Sequence, residues 1–285
     1  MSQLKTIKDR IDSVVQTCKI TQAMKMVAAA KFKSASDLVV NSRDYMDQLS
    51  SMLAVLLKQS DFSEIPLLTT YENAEKEAVI VISGDRGLCG GFNANLIKKV
   101  NHYYSDNQKN IDYYFWGLKA YDLFKKRGFV IKATESGLSS KTNIKDVIDL
   151  LEPIIAAYVS GEYSSIKVIY TSFQSIVSSI PVVKQLAPIE IDVDTEVQDI
   201  DYFIEPNSDE VLKSVSEQYV NLYVYRSIIE SFAAEQGARM MAMDSATDNA
   251  KEVINDLKLQ YNRGRQAQIT TELSEIVAGA EALVQ

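Results

Sequence analysis

Cysteine, histidine, glycine and proline are all scarce in this chain, and each scarcity removes a class of protein. Cys18 and Cys89 are the two cysteines among 285 residues, and they form no CxxC pair. A disulfide framework and a thiolate zinc site are therefore disfavoured, and reduced thiols in a cytoplasmic-type compartment fit better. The single histidine, His102, rules out most imidazole metal sites and any Ser-His-Asp triad not centred on it. Within His102-Tyr103-Tyr104 it reads as a surface or helix-end residue. Eleven glycines and five prolines are fewer than ordinary usage gives, which predicts long uninterrupted elements and argues against an all-β sandwich. No apolar run approaches the length of a membrane span, and the start of the chain has no signal-peptide stretch. Residues 1–33 are basic, but Asp9, Asp12 and a regular apolar period mark them as mature structure and not a presequence. The expectation is a soluble, non-exported chain.

What is present narrows the reading further. A hydrophobic content of 46% supplies core for one large domain or two ordinary ones. The net charge of −8 argues against a surface built as a whole for nucleic acid or anionic membrane, although a local basic surface stays open. The breakers crowd the middle, since the first proline is Pro66, the first glycine Gly84 and the last proline Pro206. Over 2–58, Leu4, Ile7, Ile11, Val14 and Cys18 recur at 3-4 spacing, as do Ala35, Val39, Ser42, Met46, Leu49, Leu53 and Leu56. Between these stretches the pattern predicts a register shift through Ile20, Met24, Val27, Ala28 and Ala30.

The stretch 208–284 behaves alike. Met240, Met243, Thr247, Ala250, Ile254, Leu257 and Tyr261 form one stripe, and Ile269, Leu273, Ile276, Ala280 and Leu283 extend it. Asn207 or Ser208 caps the start, with Asp209 and Glu210 at the positive helix end. Helices of 57 and 77 residues would be about 85 and 115 Å long, more than a globular core needs, so each must bury its stripe on the other. Charge favours that pairing: residues 2–58 hold 9 basic and 5 acidic side chains (+4), residues 208–285 hold 7 and 12 (−5). A domain inserted between them makes the antiparallel geometry economical.

In the middle, Ala78–Ser83 reads as a buried parallel strand ending in the glycine loop Gly84–Gly91. Helices at 93–104, 119–127 and 143–159 alternate with strands at 111–116, 129–132 and 166–172, which predicts a small three-layer α/β domain. Pro181 and Pro188 confine a strand at 182–189 to the sheet margin. The loop stands where doubly wound folds bind phosphates, yet it fits neither GxxxxGK[ST] nor GxGxxG, so its glycines read as turn residues. Cys89 has no nearby histidine to activate it as a nucleophile. The acidic stretch 190–201 lacks a calcium-loop skeleton and reads as solvated charge. The basic start, Lys5 to Lys33, is either a solvated helix face or a rod end enclosed by acidic protein. All eight methionines lie in the terminal helices, as coiled-coil filler or as an adaptable contact surface.

Lys19-Ile20-Thr21-Gln22-Ala23-Met24-Lys25-Met26-Val27-Ala28-Ala29-Ala30-Lys31, Asp85-Arg86-Gly87-Leu88-Cys89-Gly90-Gly91-Phe92-Asn93, Glu235-Gln236-Gly237-Ala238-Arg239-Met240-Met241-Ala242-Met243 and Tyr261-Asn262-Arg263-Gly264-Arg265-Gln266-Ala267-Gln268 occur in one order along the chain. In these segments the sequence resembles the gamma subunit of F-type ATP synthases from end to end. The resemblance implies an α/β protein: a long antiparallel coiled coil of the N- and C-terminal helices (1–60 and 207–285) with an inserted Rossmann-like three-layer domain (61–206). It implies a rotor shaft, one copy per complex, inside a ring of three alpha and three beta subunits. The inserted domain would be a foot on the epsilon subunit and a membrane ring of c subunits, peripheral to the cytoplasmic face of a bacterial membrane.

No catalytic residue, cofactor or metal is implied in this chain. The implied beta-subunit contacts are Met24, Lys25, Arg265, Gln266, Thr270 and Glu272, and the implied epsilon and c-ring contacts are Tyr202 and Glu205. Gly237 and Gly264 stand where the family usually has alanine, each costing about 1 kcal/mol of helix propensity, which predicts a locally softer rod. The middle segment carries 14 basic and 21 acidic residues (−7), unusually acidic for such a foot. Two further readings therefore stay open: a rotor whose foot has a non-standard partner, and a nucleotide-binding enzyme using the 84–91 loop.

Overall fold

The computed structural model describes residues 2–59, 65–71, 73–107, 110–176, 178–190, 205 and 207–284. The chain divides into two compact units, Met1–Val27 with Met240–Gln285, and Ala28–Arg239. Its elements in order are α1 (Ser2–Gln59), β1 (Lys76–Ile82), α2 (Phe92–Asn107), β2 (Asn110–Trp116), α3 (Leu118–Lys126), β3 (Ile131–Glu135), α4 (Ile144–Val159), β4 (Tyr163–Phe173), β5 (Ser179–Ala187) and α5 (Ser208–Val284).

The unit Ala28–Arg239 is built on a sheet of order β3-β2-β1-β4-β5. Four strands are parallel, and β5 runs antiparallel along β4 at the margin. Because strand side chains alternate between faces, central β1 feeds two cores. Ala78, Ile80 and Ile82 pack with Val147, Leu151 and Ile154 of α4 and with Leu53 and Ile228 of the long helices. Val79 and Val81 pack with Leu96 and Val100 of α2 and with Ala120 and Phe124 of α3. Each of the valine, leucine, isoleucine and phenylalanine side chains among them contributes about 1.5–3 kcal/mol when fully buried. Buried Glu77 on β1 accepts hydrogen bonds from Tyr103 (2.6 Å), Ser165 (3.1 Å) and the Lys167 ammonium (3.1 Å), so its charge is compensated.

Local chemistry sets the element ends. Asn143 caps α4, its Oδ1 accepting from the Lys145 amide (3.1 Å) while Asp146 Oδ2 accepts from the Asn143 amide (3.2 Å). Asn207 caps α5 through the Glu210 amide (2.8 Å). Gly117, between β2 and α3, has φ +106, and a Cβ there would lie 1.9 Å from the Ser83 carbonyl oxygen, so only glycine fits.

Strand boundaries differ most from the sequence reading at three strands, and β4 starts at Tyr163 in place of 166. The third strand occupies 131–135 in place of 129–132, because Phe129 donates its amide to Phe124 O (3.2 Å) after Gly128 turns the chain at φ +77. Phe129 is thereby drawn into the cluster with Tyr113 and Phe124. The marginal strand occupies 179–187 in place of 182–189, and Pro188 has no amide to continue it.

Within the unit Met1–Val27 with Met240–Gln285, the helix segments pair antiparallel. Leu4 lies against Gly264, Thr21 Oγ1 bonds Thr247 Oγ1 (2.7 Å), and Lys25 Nζ meets Asp244 Oδ1 (2.6 Å). The register shift predicted through Ile20, Met24, Val27 and Ala30 does not occur. The covered stripe of α1 keeps strict 3-4 spacing through Cys18, Thr21, Lys25, Ala28, Phe32 and Ala35. Two polar residues occupy the seam because each finds a partner on α5, so the hydrophobic pattern alone misplaced it. The stripe expected to continue from Ile269 also ends, since Ile269, Leu273 and Ile276 are exposed. Residues 60–64 and 191–204 lie outside the described residues, and with them most of the acidic stretch 190–201.

Candidate interaction surfaces

The glycine loop is a structural joint. Its Gly84 amide donates to Asn93 Oδ1 (3.0 Å), and Gly84 O accepts from the Lys119 amide (3.0 Å). The Asp85 carboxylate accepts from the amides of Leu118 (3.1 Å), Gly137 (2.8 Å) and Leu138 (3.2 Å), tying together three connections at one end of the sheet. Asn93 Nδ2 donates back to Arg86 O (3.1 Å). Positive φ falls on Leu88 and Gly90, while at Gly84 a Cβ would lie 3.1 Å from the Glu235 carboxyl, a close approach that favours glycine.

Glu235 and Arg239 on α5 form an ion pair with both side chains largely buried, and Arg239 Nη2 also reaches Gly87 O (3.3 Å). Burial pushes the Glu235 carboxyl above the usual carboxylate range, and Arg239 partly offsets the shift. Burial and the neighbouring Glu235 likewise push the Cys89 thiol up, which suppresses the thiolate a nucleophile would need. The Glu235 carboxyl thus lies against the start of the loop, the Asp85 carboxylate is taken up by three amides, and the Gly84 amide is already committed to Asn93. The geometry opposes the nucleotide reading. Two segments that carried the resemblance, 85–93 and 235–243, meet here. Sequence reasoning overlooked this joint, although Glu235 and Arg239 at i,i+4 spacing in an apolar stretch signal an intrahelical pair. Among the described residues no group of three or more His, Cys, Asp or Glu is placed to hold a metal ion, and no helix is long and apolar enough to cross a membrane.

The predicted contact residues occupy two levels of the helix pair. Met24 is half-buried, and Lys25 is held by Asp244 with the two side chains 40% and 50% exposed. Arg265, Gln266, Thr270 and Glu272 are all exposed on α5. Thr270 Oγ1 bonds Gln266 O (3.0 Å), and Glu272 accepts from Gln268 Nε2 (2.8 Å). Between the levels of Asp244 and Arg265 lie about 30 Å of helix at 1.5 Å per residue, so the structure does not gather these residues into one site. Large apolar side chains accompany both levels: Ile20, Met26, Val27 and Met241 at the first, Ile269, Leu273 and Ile276 at the second, all exposed. Exposed apolar side chains of this density mark surfaces that other proteins cover. Of the two foot residues, Glu205 is exposed and Tyr202 lies outside the described residues.

A sheet domain entered and left through two long helices, and an antiparallel pair of those helices showing apolar groups on both partners, define a structural interaction protein. The family described as ATP synthase matches residues 3–283. The ATP synthase gamma chain of Chlorobium phaeobacteroides (strain BS1) is 40% identical over 294 residues, covering 99% of each chain. That of Heliobacterium modesticaldum is 40% identical over 291 residues, covering 99% of this chain and all of the relative. The chain belongs to the ATP synthase gamma-chain family. In fold it is similar to a chain in the cryo-EM structure of the Euglena gracilis mitochondrial ATP synthase (OSCP, F1 and c-ring), with TM-score 0.69, 18% identity and coverage of 99% of this chain and 95% of that one. It is also similar to one in the central stalk and c-ring of the Tetrahymena thermophila enzyme, with TM-score 0.61, 22% identity and coverage of 80% and 99%.

Proposed function

We propose that this chain is the central rotor shaft of an F-type ATP synthase. It couples ion flow through the membrane sector to ATP synthesis or hydrolysis by turning one asymmetric surface past successive beta subunits. The observation that carries the reading is the 40% identity to gamma chains over essentially their full length. Its partners are three alpha and three beta subunits around the helix pair, and the epsilon subunit and c-ring at the sheet domain. The chain itself is noncatalytic and works at the cytoplasmic face of a bacterial membrane, held there by its partners.

In this reading Met24 and Lys25 contact beta subunits at one level and Arg265, Gln266, Thr270 and Glu272 at the other, while Tyr202 and Glu205 face epsilon and the c-ring. Arg265 suits a contact that is broken and remade at each step, because its guanidinium binds a carboxylate through two parallel hydrogen bonds. The test is reconstitution with alpha and beta subunits. The isolated chain should turn over no ATP, and the mixture should regain ATPase activity and rotate. Replacing Arg265 and Gln266 by alanine should impair coupled turnover more than Lys141→Ala does. ATP turnover by the chain alone would overturn the assignment.

A further inference from the structure

Gly237 and Gly264 both stand at interior positions of α5, and the structure separates them. A Cβ at Gly264 would meet Leu4 Cδ2 at 2.9 Å, whereas one at Gly237 would lie 3.5 Å from the Phe32 ring, an ordinary contact. Alanine therefore fits at 237, and glycine there weakens the helix without making room for a neighbour. The packing around this turn is thin as well. The main core of the sheet domain takes in α5 side chains from Leu212 to Ala233. Ala234 belongs to a small separate cluster with Cys89 and Phe92, edged by Phe173 and Ala238. Arg239 Nη2 reaches across to Gly87 O at 3.3 Å, and Gly87 is itself loosely held, since a Cβ there would meet nothing within 4 Å.

We propose that the turn 235–239 is a compliant joint of α5, softened by Gly237, at which the helix deflects without disturbing the core that ends at Ala233. The inference rests on the reading of this chain as a rotor shaft: a helix that meets successive beta subunits is loaded from the side at each step, and a uniformly stiff one would pass that load into Phe232 and Ala233. Two properties of the turn make deflection easy. Without a Cβ, Gly237 leaves the helical region of φ and ψ at less cost than alanine does. The side chains of Ala234 and Ala238 are single methyl groups, so moving them exposes little apolar area. One property makes it reversible. Glu235 and Arg239 bridge the same turn at i,i+4 spacing, and an opening that parted them would leave a buried carboxylate without its partner. The pair therefore closes the turn again.

Hydrogen–deuterium exchange of the complex reconstituted with alpha and beta subunits, read by mass spectrometry, tests this alongside its ATP turnover. Gly237→Ala should slow exchange of the amides of 238–241, which bond the carbonyls of 234–237, by about fivefold, the helix-propensity difference between the two residues. The amides of 228–233 should be unaffected, and turnover should fall. Gly237→Ala combined with Ala238→Gly, which returns a glycine to the same turn, should restore both exchange and turnover. Unchanged exchange at 238–241, slowing spread evenly along α5, or turnover that stays the same once exchange is slowed overturns the inference while leaving the rotor assignment standing. A complex of the unaltered chain that neither rotates nor regains ATPase activity overturns the rotor assignment and this inference with it.

Discussion

Helix α5 lives in two surroundings. From Ser227 to Gly237 every residue is buried, whereas between Met243 and Leu257 only Met243, Thr247, Ala250, Ile254 and Leu257 are. Most polar side chains of the first stretch have a partner within α5 or on a neighbouring element. Ser231 Oγ accepts from the Thr171 amide (3.0 Å), Glu230 pairs with Arg226 (2.9 Å), and Glu235 pairs with Arg239. The second stretch has one seam to satisfy and leaves its remaining faces to whatever surrounds it. A helix enclosed on all sides is specified by its own chain; a helix covered along one stripe is half of an interface.

Substitutions separate the two regimes. Replacing Arg239 by methionine leaves the Glu235 carboxylate buried without a partner and should cost about 3–5 kcal/mol at neutral pH. Because the folded-state carboxyl already titrates above its unfolded value, the destabilisation should be small below the ordinary carboxylate range and should grow as pH rises through the folded pKa. Adding Glu235→Gln should recover most of the loss. Denaturant midpoints measured across pH for both variants check this, and a loss independent of pH would contradict the assigned cause.

Equal truncations then compare the regions. Ile228→Ala, in the enclosed stretch, should cost about 4 kcal/mol and Ile254→Ala, on the seam, about 2 kcal/mol, since the seam can close or hydrate where the enclosed site cannot. Equal losses by thermal unfolding would remove the distinction. Smallest is Gly264→Ala. The helix gains about 1 kcal/mol of propensity, but the new Cβ meets Leu4 Cδ2 at 2.9 Å, so the net change should stay within about 0.5 kcal/mol. A full gain would mean that Leu4 yields freely. The glycine expected to soften the helix thus has a second role, letting Leu4 approach α5 closely.

Much of this arrangement could be read in the chain. The spacing of Ala35, Val39, Met46, Leu49, Leu53 and Leu56 marks the covered face of α1, and Met243, Thr247, Ala250, Ile254 and Leu257 that of α5, because a 3.6-residue helix can keep only such positions out of water together. The seam between Cys18 and Ala35 escaped the same logic. There the covered residues include Thr21 and Lys25, whose places depend on Thr247 and Asp244, more than two hundred residues away. The joint at Gly84 escaped for a related reason: a short-range search for phosphate motifs tests the loop against patterns, not against Glu235 and Arg239.

Order of elements, their polarity and the antiparallel geometry of the helices follow from the sequence alone, since breakers, caps and hydrophobic period act over neighbouring residues. Which polar groups can enter a seam, which glycine exists for a distant side chain's approach, and where α5 passes from enclosed core to open surface were decided by tertiary structure. Each of those depends on the free energy of a buried charge or hydroxyl, which is set by a partner that proximity in sequence does not reveal.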